Sequence, residues 1–217
     1  MATTSHALEI RGLVKHFDTK LAVDNLDLTV PNGSFFGLVG PNGAGKTTTL
    51  SMATGLLRPD AGTIELHGVD VWRNLIEAKK LVGVLNDGVR LFDRLTGLQL
   101  VTYAGLLNGM DRDTVVSRAG DLLSMLDLDS AGGTLVVDYS AGMTKKIALA
   151  CAMIHAPRLL VLDEPFESVD PVSAANIRDI LEGFVKSGGT VIVSSHAMDL
   201  VQRMCDHVAV INQGRVV

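Results

Sequence analysis

Short apolar runs bounded by Gly, Pro, Asn and Asp predict strands at 7–14, 21–30, 34–40, 62–68, 81–86, 158–164, 190–195 and 208–214. The early runs are joined by short turns such as Pro31-Asn32-Gly33, which predicts an antiparallel sheet of their own. The later runs alternate with helical stretches, which predicts a parallel sheet. From about residue 87 to 156 the pattern is helical instead, through LQLVTYAGLLNGM, TVVSRAGDLLSMLDL and KKIALACAMIH. The reading is a single α/β domain in which 1–86 and 157–217 form the core and 87–156 a helical insertion.

At 217 residues the chain can bury one substantial core. A 47% hydrophobic and 20% charged composition excludes disorder. The formal net charge of −5 argues against a nucleic-acid partner. Cys151 and Cys205 lie in runs that read as helices, with no Cys/His cluster beside them, and read as buried thiols of a reducing compartment. No apolar run is long enough to cross a bilayer and the first residues carry no leader pattern, so the expectation is a soluble, cytosolic protein.

Against that background, GPNGAGKT (Gly40 to Thr47) satisfies GxxxxGK[ST] between an apolar strand and the helical KTTTLSMATGL. Glycines let backbone N–H groups converge on phosphate, the next helix points its positive end at them, and Lys46 adds a point charge. Gly40, Pro41, Asn42, Gly43, Ala44, Gly45, Lys46, Thr47 and Thr48 are the candidate phosphate-binding residues, with the Thr47 hydroxyl available to Mg²⁺. RLLVLDEP ends a doubly buried strand in two carboxylates at the edge where open α/β sheets bind ligands. Asp163 is placed to hold Mg²⁺ and Glu164 to orient or deprotonate a water. In YSAGMTKKIALA, Ser140 precedes a long helix, either as an ordinary N-cap or as a helix start aimed at an anion.

The order GPNGAGKT, YSAGM, LLVLDEP, SVD and SSH resembles the ATP-binding subunit of an ABC transporter over essentially the whole chain. The resemblance implies a P-loop NTPase core of the ABC ATPase type, with an N-terminal antiparallel β-subdomain and an inserted α-helical subdomain. It implies ATP and Mg²⁺ as ligands and ATP hydrolysis in a sandwich of two chains, a homo- or heterodimer. Ser140 and Gly142 would cap the γ-phosphate held by the opposite chain. Asp170 falls in the loop that crosses the interface, His196 at the switch histidine on the γ-phosphate, and Phe17 at the aromatic position that stacks on adenine. Partners would be separate transmembrane permease subunits, placing the chain on the inner face of the cell membrane.

Two positions depart from the family pattern. Ala141 and Met143 stand where the signature has glycine and glutamine, a variation similar to that of ABC-2-type exporter ATPases. Asp87 occupies the place of a glutamine that reaches Mg²⁺ and the membrane subunit, and reads equally as a metal ligand or an acidic loop residue. Two alternatives compete with transport. A soluble ABC-type ATPase acting on DNA or ribosomes usually brings long coiled coils or two ATPase modules, which this sequence lacks; a P-loop switch or kinase would not need the signature.

Overall fold

The computed structural model describes residues 6–88 and 90–217. In chain order the first part contains strands β1 (His6–Phe17), β2 (Lys20–Pro31) and β3 (Phe35–Val39), helix α1 (Lys46–Ala53), strands β4 (Ala61–Leu66) and β5 (Val69–Asp70), helix α2 (Leu75–Leu81) and strand β6 (Val82–Leu85). Helices α3 (Gly97–Leu107), α4 (Arg112–Met125) and α5 (Ala141–Met153) follow. The chain then continues through β7 (Leu159–Leu162), α6 (Pro171–Lys186), β8 (Thr190–Ser195), α7 (Met198–Met204), β9 (His207–Asn212) and β10 (Arg215–Val216).

The strands make two sheets. One, in the order β2-β1-β4-β5, is antiparallel throughout. In the other, β9-β3-β8-β7-β6 run parallel and β10 is added antiparallel at the β9 edge. The predicted α/β class is therefore borne out, with an antiparallel sheet built mainly from the first strands. Burial explains the two kinds of sequence pattern. β3, β7 and β8 are buried at every position, and strands covered on both faces read as continuous apolar runs. In β2, buried Leu26, Leu28 and Val30 alternate with exposed Asp27 and Thr29, as in a strand with one wet face.

Successive residues of the parallel strands feed separate cores, because side chains alternate across a sheet. Phe35, Leu160, Leu162, Val191 and Val193 pack with the helical layer through Leu100, Leu122, Ile147 and Leu181. Phe36, Leu38, Leu159, Val161 and Ile192 pack with α1 and the antiparallel sheet through Leu50, Leu8, Ile10 and Ile64. The parallel sheet thus stands between two cores, and the ends of its strands are held from both sides. Cys205 corrects the sequence reading, since it lies in extended backbone just past α7. Both thiols are free and burial pushes them up to about 12, so neither is ionised at neutral pH.

The β4–β5 turn is His67-Gly68, with positive φ at both residues (47° and 81°), the geometry of a tight hairpin. Burial pushes the His67 imidazole down to about 4, helped by the charge of Arg158, and neither ring nitrogen has a hydrogen-bond partner among the described residues. An unfolded chain protonates this ring near its ordinary pKa of about 6.5, whereas the fold resists the proton. The unfolded state therefore binds more protons between those values, and this contribution to stability is complete above about pH 6.5 and is lost as pH falls toward 4. His67→Asn, which tolerates the left-handed backbone, is expected to shrink the drop in urea midpoint between pH 7.5 and 5. An equal drop in both proteins removes His67 as a source of acid sensitivity.

Candidate functional site

The carboxyl ends of β3, β7 and β8 lie side by side, with Val39 paired to Ser195 and Leu162 to Val193. This edge gathers the glycine-rich loop, the Asp163-Glu164 pair and His196 from distant parts of the chain. The loop is wedged among strands. Gly45 has φ 108° and a Cβ there would stand 2.7 Å from the Ala22 carbonyl oxygen, so only glycine fits. Helix α1 begins at Lys46 with no side-chain cap and no acidic residue in its first turn, leaving its positive end uncompensated by a side chain. Lys46 is buried. Its Nζ donates to the carbonyl oxygens of Gly40 (2.7 Å) and Pro41 (3.3 Å) and lies 3.7 Å from Glu164 Oε1.

An open cleft of about 480 Å³ fronts the loop and is lined by Phe17, Asn42, Gly43, Gly45, Lys46, Thr47, Thr48, Asp87 and Glu164, together with Lys20, Ala22 and Glu167. Gly40, Pro41 and Ala44 do not line it: Gly40 and Ala44 are buried behind the loop and Pro41 is exposed beside it. Phe17 is 46% exposed, with Lys15 Nζ 5.8 Å from its ring centroid, so the ring is available to an aromatic ligand. The cleft thus has an aromatic end and a phosphate-type end.

The two carboxylates differ in environment. Asp163 is buried; its Oδ1 accepts a hydrogen bond from the Ser194 hydroxyl, while Oδ2 is buried with no partner among the described residues. A buried carboxyl oxygen left without a protein partner in this way fits a bound cation. Glu164 holds an unusual left-handed backbone (φ 46°), with its N–H donating to Ser194 Oγ at 3.0 Å. Glu164 Oε1 lies 3.2 Å from His196 Nδ1 at the exposed end of β8. Ser194, which joins the two acidic residues, was missed in the sequence; its only signal is one of two hydroxyls, with Ser195, that follow the apolar Val191-Ile192-Val193 run at the end of β8. Asp87, after β6, pairs with Lys145 Nζ at 3.6 Å, a partner with no signal at all in the linear pattern.

Ser140, Gly142 and Asp170 stand apart from this cleft. Ser140 caps α5, accepting from the Met143 N–H at 3.3 Å, and is exposed. Asp170 caps α6 through the N–H groups of Val172 (3.1 Å) and Ser173 (2.9 Å), and the hydrogen bonds from Ser173 hold its carboxyl below the usual range. Gly142 lies where these caps meet: a Cβ would stand 2.6 Å from Ser173 Oγ and 2.8 Å from Asp170 Oδ2.

Residues 23–167 match the family model described as ABC transporter. The chain belongs to the ABC transporter family. Among curated relatives, it is 37% identical to the daunorubicin/doxorubicin resistance ATP-binding protein DrrA of Streptomyces peucetius, over 98% of this chain and 64% of DrrA. It is 36% identical to the Nod factor export ATP-binding protein I of Cupriavidus metallidurans, over 96% of this chain and 69% of the relative. The chain therefore spans roughly two thirds of the length of these relatives. A solved ATP-binding subunit of an ABC transporter superposes with a TM-score of 0.88 at 25% identity, covering 97% of this chain and 88% of that one. An ATP-binding cassette solved as a dimer in a post-hydrolysis state shares the fold, with a TM-score of 0.88 at 22% identity and 96% of each chain covered. The match spans the glycine-rich loop, the signature stretch and the Asp163-Glu164 pair in one family model, a combination that a P-loop switch or kinase does not share.

Proposed function

We propose that the chain is the ATP-binding and ATP-hydrolysing subunit of an ABC exporter, acting as a two-chain sandwich on separate transmembrane subunits. The observation that carries this is the convergence of Lys46, at the start of α1 after β3, and Glu164, just past β7, on one cleft edge, with buried Asp163 next to Glu164 and the signature serine outside the cleft. Phe17 stacks on adenine, and the loop with the start of α1 receives the phosphates. Lys46 exchanges the carbonyls of Gly40 and Pro41 for phosphate oxygens. That movement also frees Glu164 Oε1 to accept a proton from the water that attacks the γ-phosphorus, giving ADP and inorganic phosphate. His196, beside Glu164, supports the γ-phosphate.

Thr47 and Asp163 would hold Mg²⁺, with Asp87 as a further oxygen nearby. Held there, Mg²⁺ would supply positive charge to offset that of the phosphates. No cluster of three His, Cys, Asp or Glu side chains suited to a metal is found among the described residues, and the few protein oxygens suit an ion that would take its other ligands from nucleotide and water.

Ser140, Gly142 and Asp170 serve the second chain. Their absence from their own cleft supports a site completed in trans, and capping does not compete with it: the Ser140 oxygen accepts from Met143 and its proton is left to donate. The segment 87–156 presents an edge-to-face Phe92–Tyr103 pair and exposed Leu106 and Leu107, an apolar surface suited to the transmembrane subunit. No helix among the described residues is long and apolar enough to cross a membrane; attachment at the inner face is part of the proposal and rests on that apolar surface and the exporter relatives. Export follows the relatives, whose names describe drug resistance and Nod factor export. No nucleic-acid partner is proposed.

Mixing tests the composite site. Ser140→Arg blocks the signature and Lys46→Ala blocks the loop. A mixed dimer unites the intact loop of one chain with the intact signature of the other, so one site in two is restored. Equal mixing is expected to recover about a quarter of wild-type hydrolysis, since half of the dimers are mixed and each has one working site. Mixed dimers, verified by tag capture, that hydrolyse no more than the two variants separately would overturn the sandwich.

A further inference from the structure

We infer that Lys145 is a positioning residue for Glu164, tying the helix that begins at Ser140 to the water-orienting carboxylate of the same chain; this rests on the role proposed for Glu164. Glu164 sits in a backbone conformation that an L-residue with a side chain seldom adopts, and such conformations persist only where the surroundings over-determine them. Two side chains from other elements do so. The Ser194 hydroxyl, from β8, accepts from the Glu164 N–H at 3.0 Å, and Lys145 Nζ, from α5, donates to the Glu164 carbonyl at 3.0 Å. Within the loop itself, the Glu167 N–H also reaches that carbonyl, at 3.3 Å. The residue is thus gripped on both flanks, and the grip sets where its carboxylate stands against Lys46 and His196.

Charge supports the same assignment. The Lys145 ammonium is mostly shielded from solvent and has Asp87 Oδ1 at 3.6 Å as counter-ion, so the aspartate that replaces the family's glutamine balances the lysine that holds Glu164. The neighbouring Lys146 points elsewhere, to Asp127 just past α4 (3.8 Å), and cannot substitute. Along α5, Lys145 lies five residues from Ser140, a rise of about 7.5 Å within one rigid helix.

Lys145→Met in the full chain tests this. Expected are ATP affinity and KM within about twofold of wild type and a kcat lower by about tenfold, because a displaced general base loses alignment while binding is untouched. Lys145→Arg, which keeps the charge and a donor, should recover most of the loss. Added to Glu164→Gln, Lys145→Met should lower kcat no further, because the group it positions is already gone. The assignment is overturned by a kcat within about twofold of wild type, by ATP affinity falling in step with kcat, or by full additivity with Glu164→Gln. Should Lys145→Met not fold, Lys145→Gln takes its place and the same outcomes decide. A wild-type chain that binds ATP without hydrolysing it would instead remove the role of Glu164.

Discussion

Glu164→Gln is expected to lower kcat by about 10²- to 10⁴-fold while ATP stays bound, because the amide keeps the volume and cannot accept the proton of the attacking water. The geometry adds a second expectation. Glu164 Oε1 lies 3.7 Å from Lys46 Nζ, so the neutral variant releases the lysine from a competing anion, and affinity should match or exceed that of the wild type. Trapped ATP should then hold two chains together, visible as an ATP-dependent doubling of mass by light scattering. Single-turnover hydrolysis as fast as wild type would assign the water to another base. A monomer at saturating ATP would count against the sandwich.

Lys46→Ala is expected to weaken ATP binding by about 10- to 100-fold, the scale of one charge-assisted hydrogen bond, and to abolish most hydrolysis. Because Lys46 is buried and serves Gly40, Pro41 and Glu164 before nucleotide arrives, the variant should also lose about 1–3 kcal/mol of unfolding free energy and so unfold at a lower denaturant concentration. Calorimetric titration with MgATP and a urea curve on the same sample separate the two effects. Near-normal affinity would move the phosphate site away from this loop.

Much of the fold was legible because its signals are local. Eight apolar runs correspond to β1 to β4 and β6 to β9, and three helical stretches to α3, α4 and α5. The two-residue strands β5 and β10 were not legible, since they exist only through register with a neighbour. At the site, residues in contiguous motifs were nominated directly: Lys46 and Glu164 are 3.7 Å apart although 118 positions separate them. Side chains that act by reaching across elements were invisible. Ser194 bridges Asp163 and Glu164 from another strand, and Lys145 meets Asp87 from a helix whose linear pattern marks it only as polar. Gly142 was read for its place in the signature, yet in the fold its missing side chain is what lets α5 approach the first turn of α6.

The alternation of the parallel strands between two cores also bears on how the molecule comes apart. Phe35 and Phe36, one residue apart, belong to different hydrophobic clusters, and so do Leu160 and Val161. Neither cluster can dissolve without stripping one face of β3 and β7, so these strands form the mechanical joint that makes the two halves melt together. Amide protons along them should therefore be the last to exchange with solvent, while the exposed cap at Ser140 frays far sooner. The glycine-rich loop is rooted in the slowest-opening part of the chain, and Ser140, the exposed N-cap of α5, sits in one of the quickest.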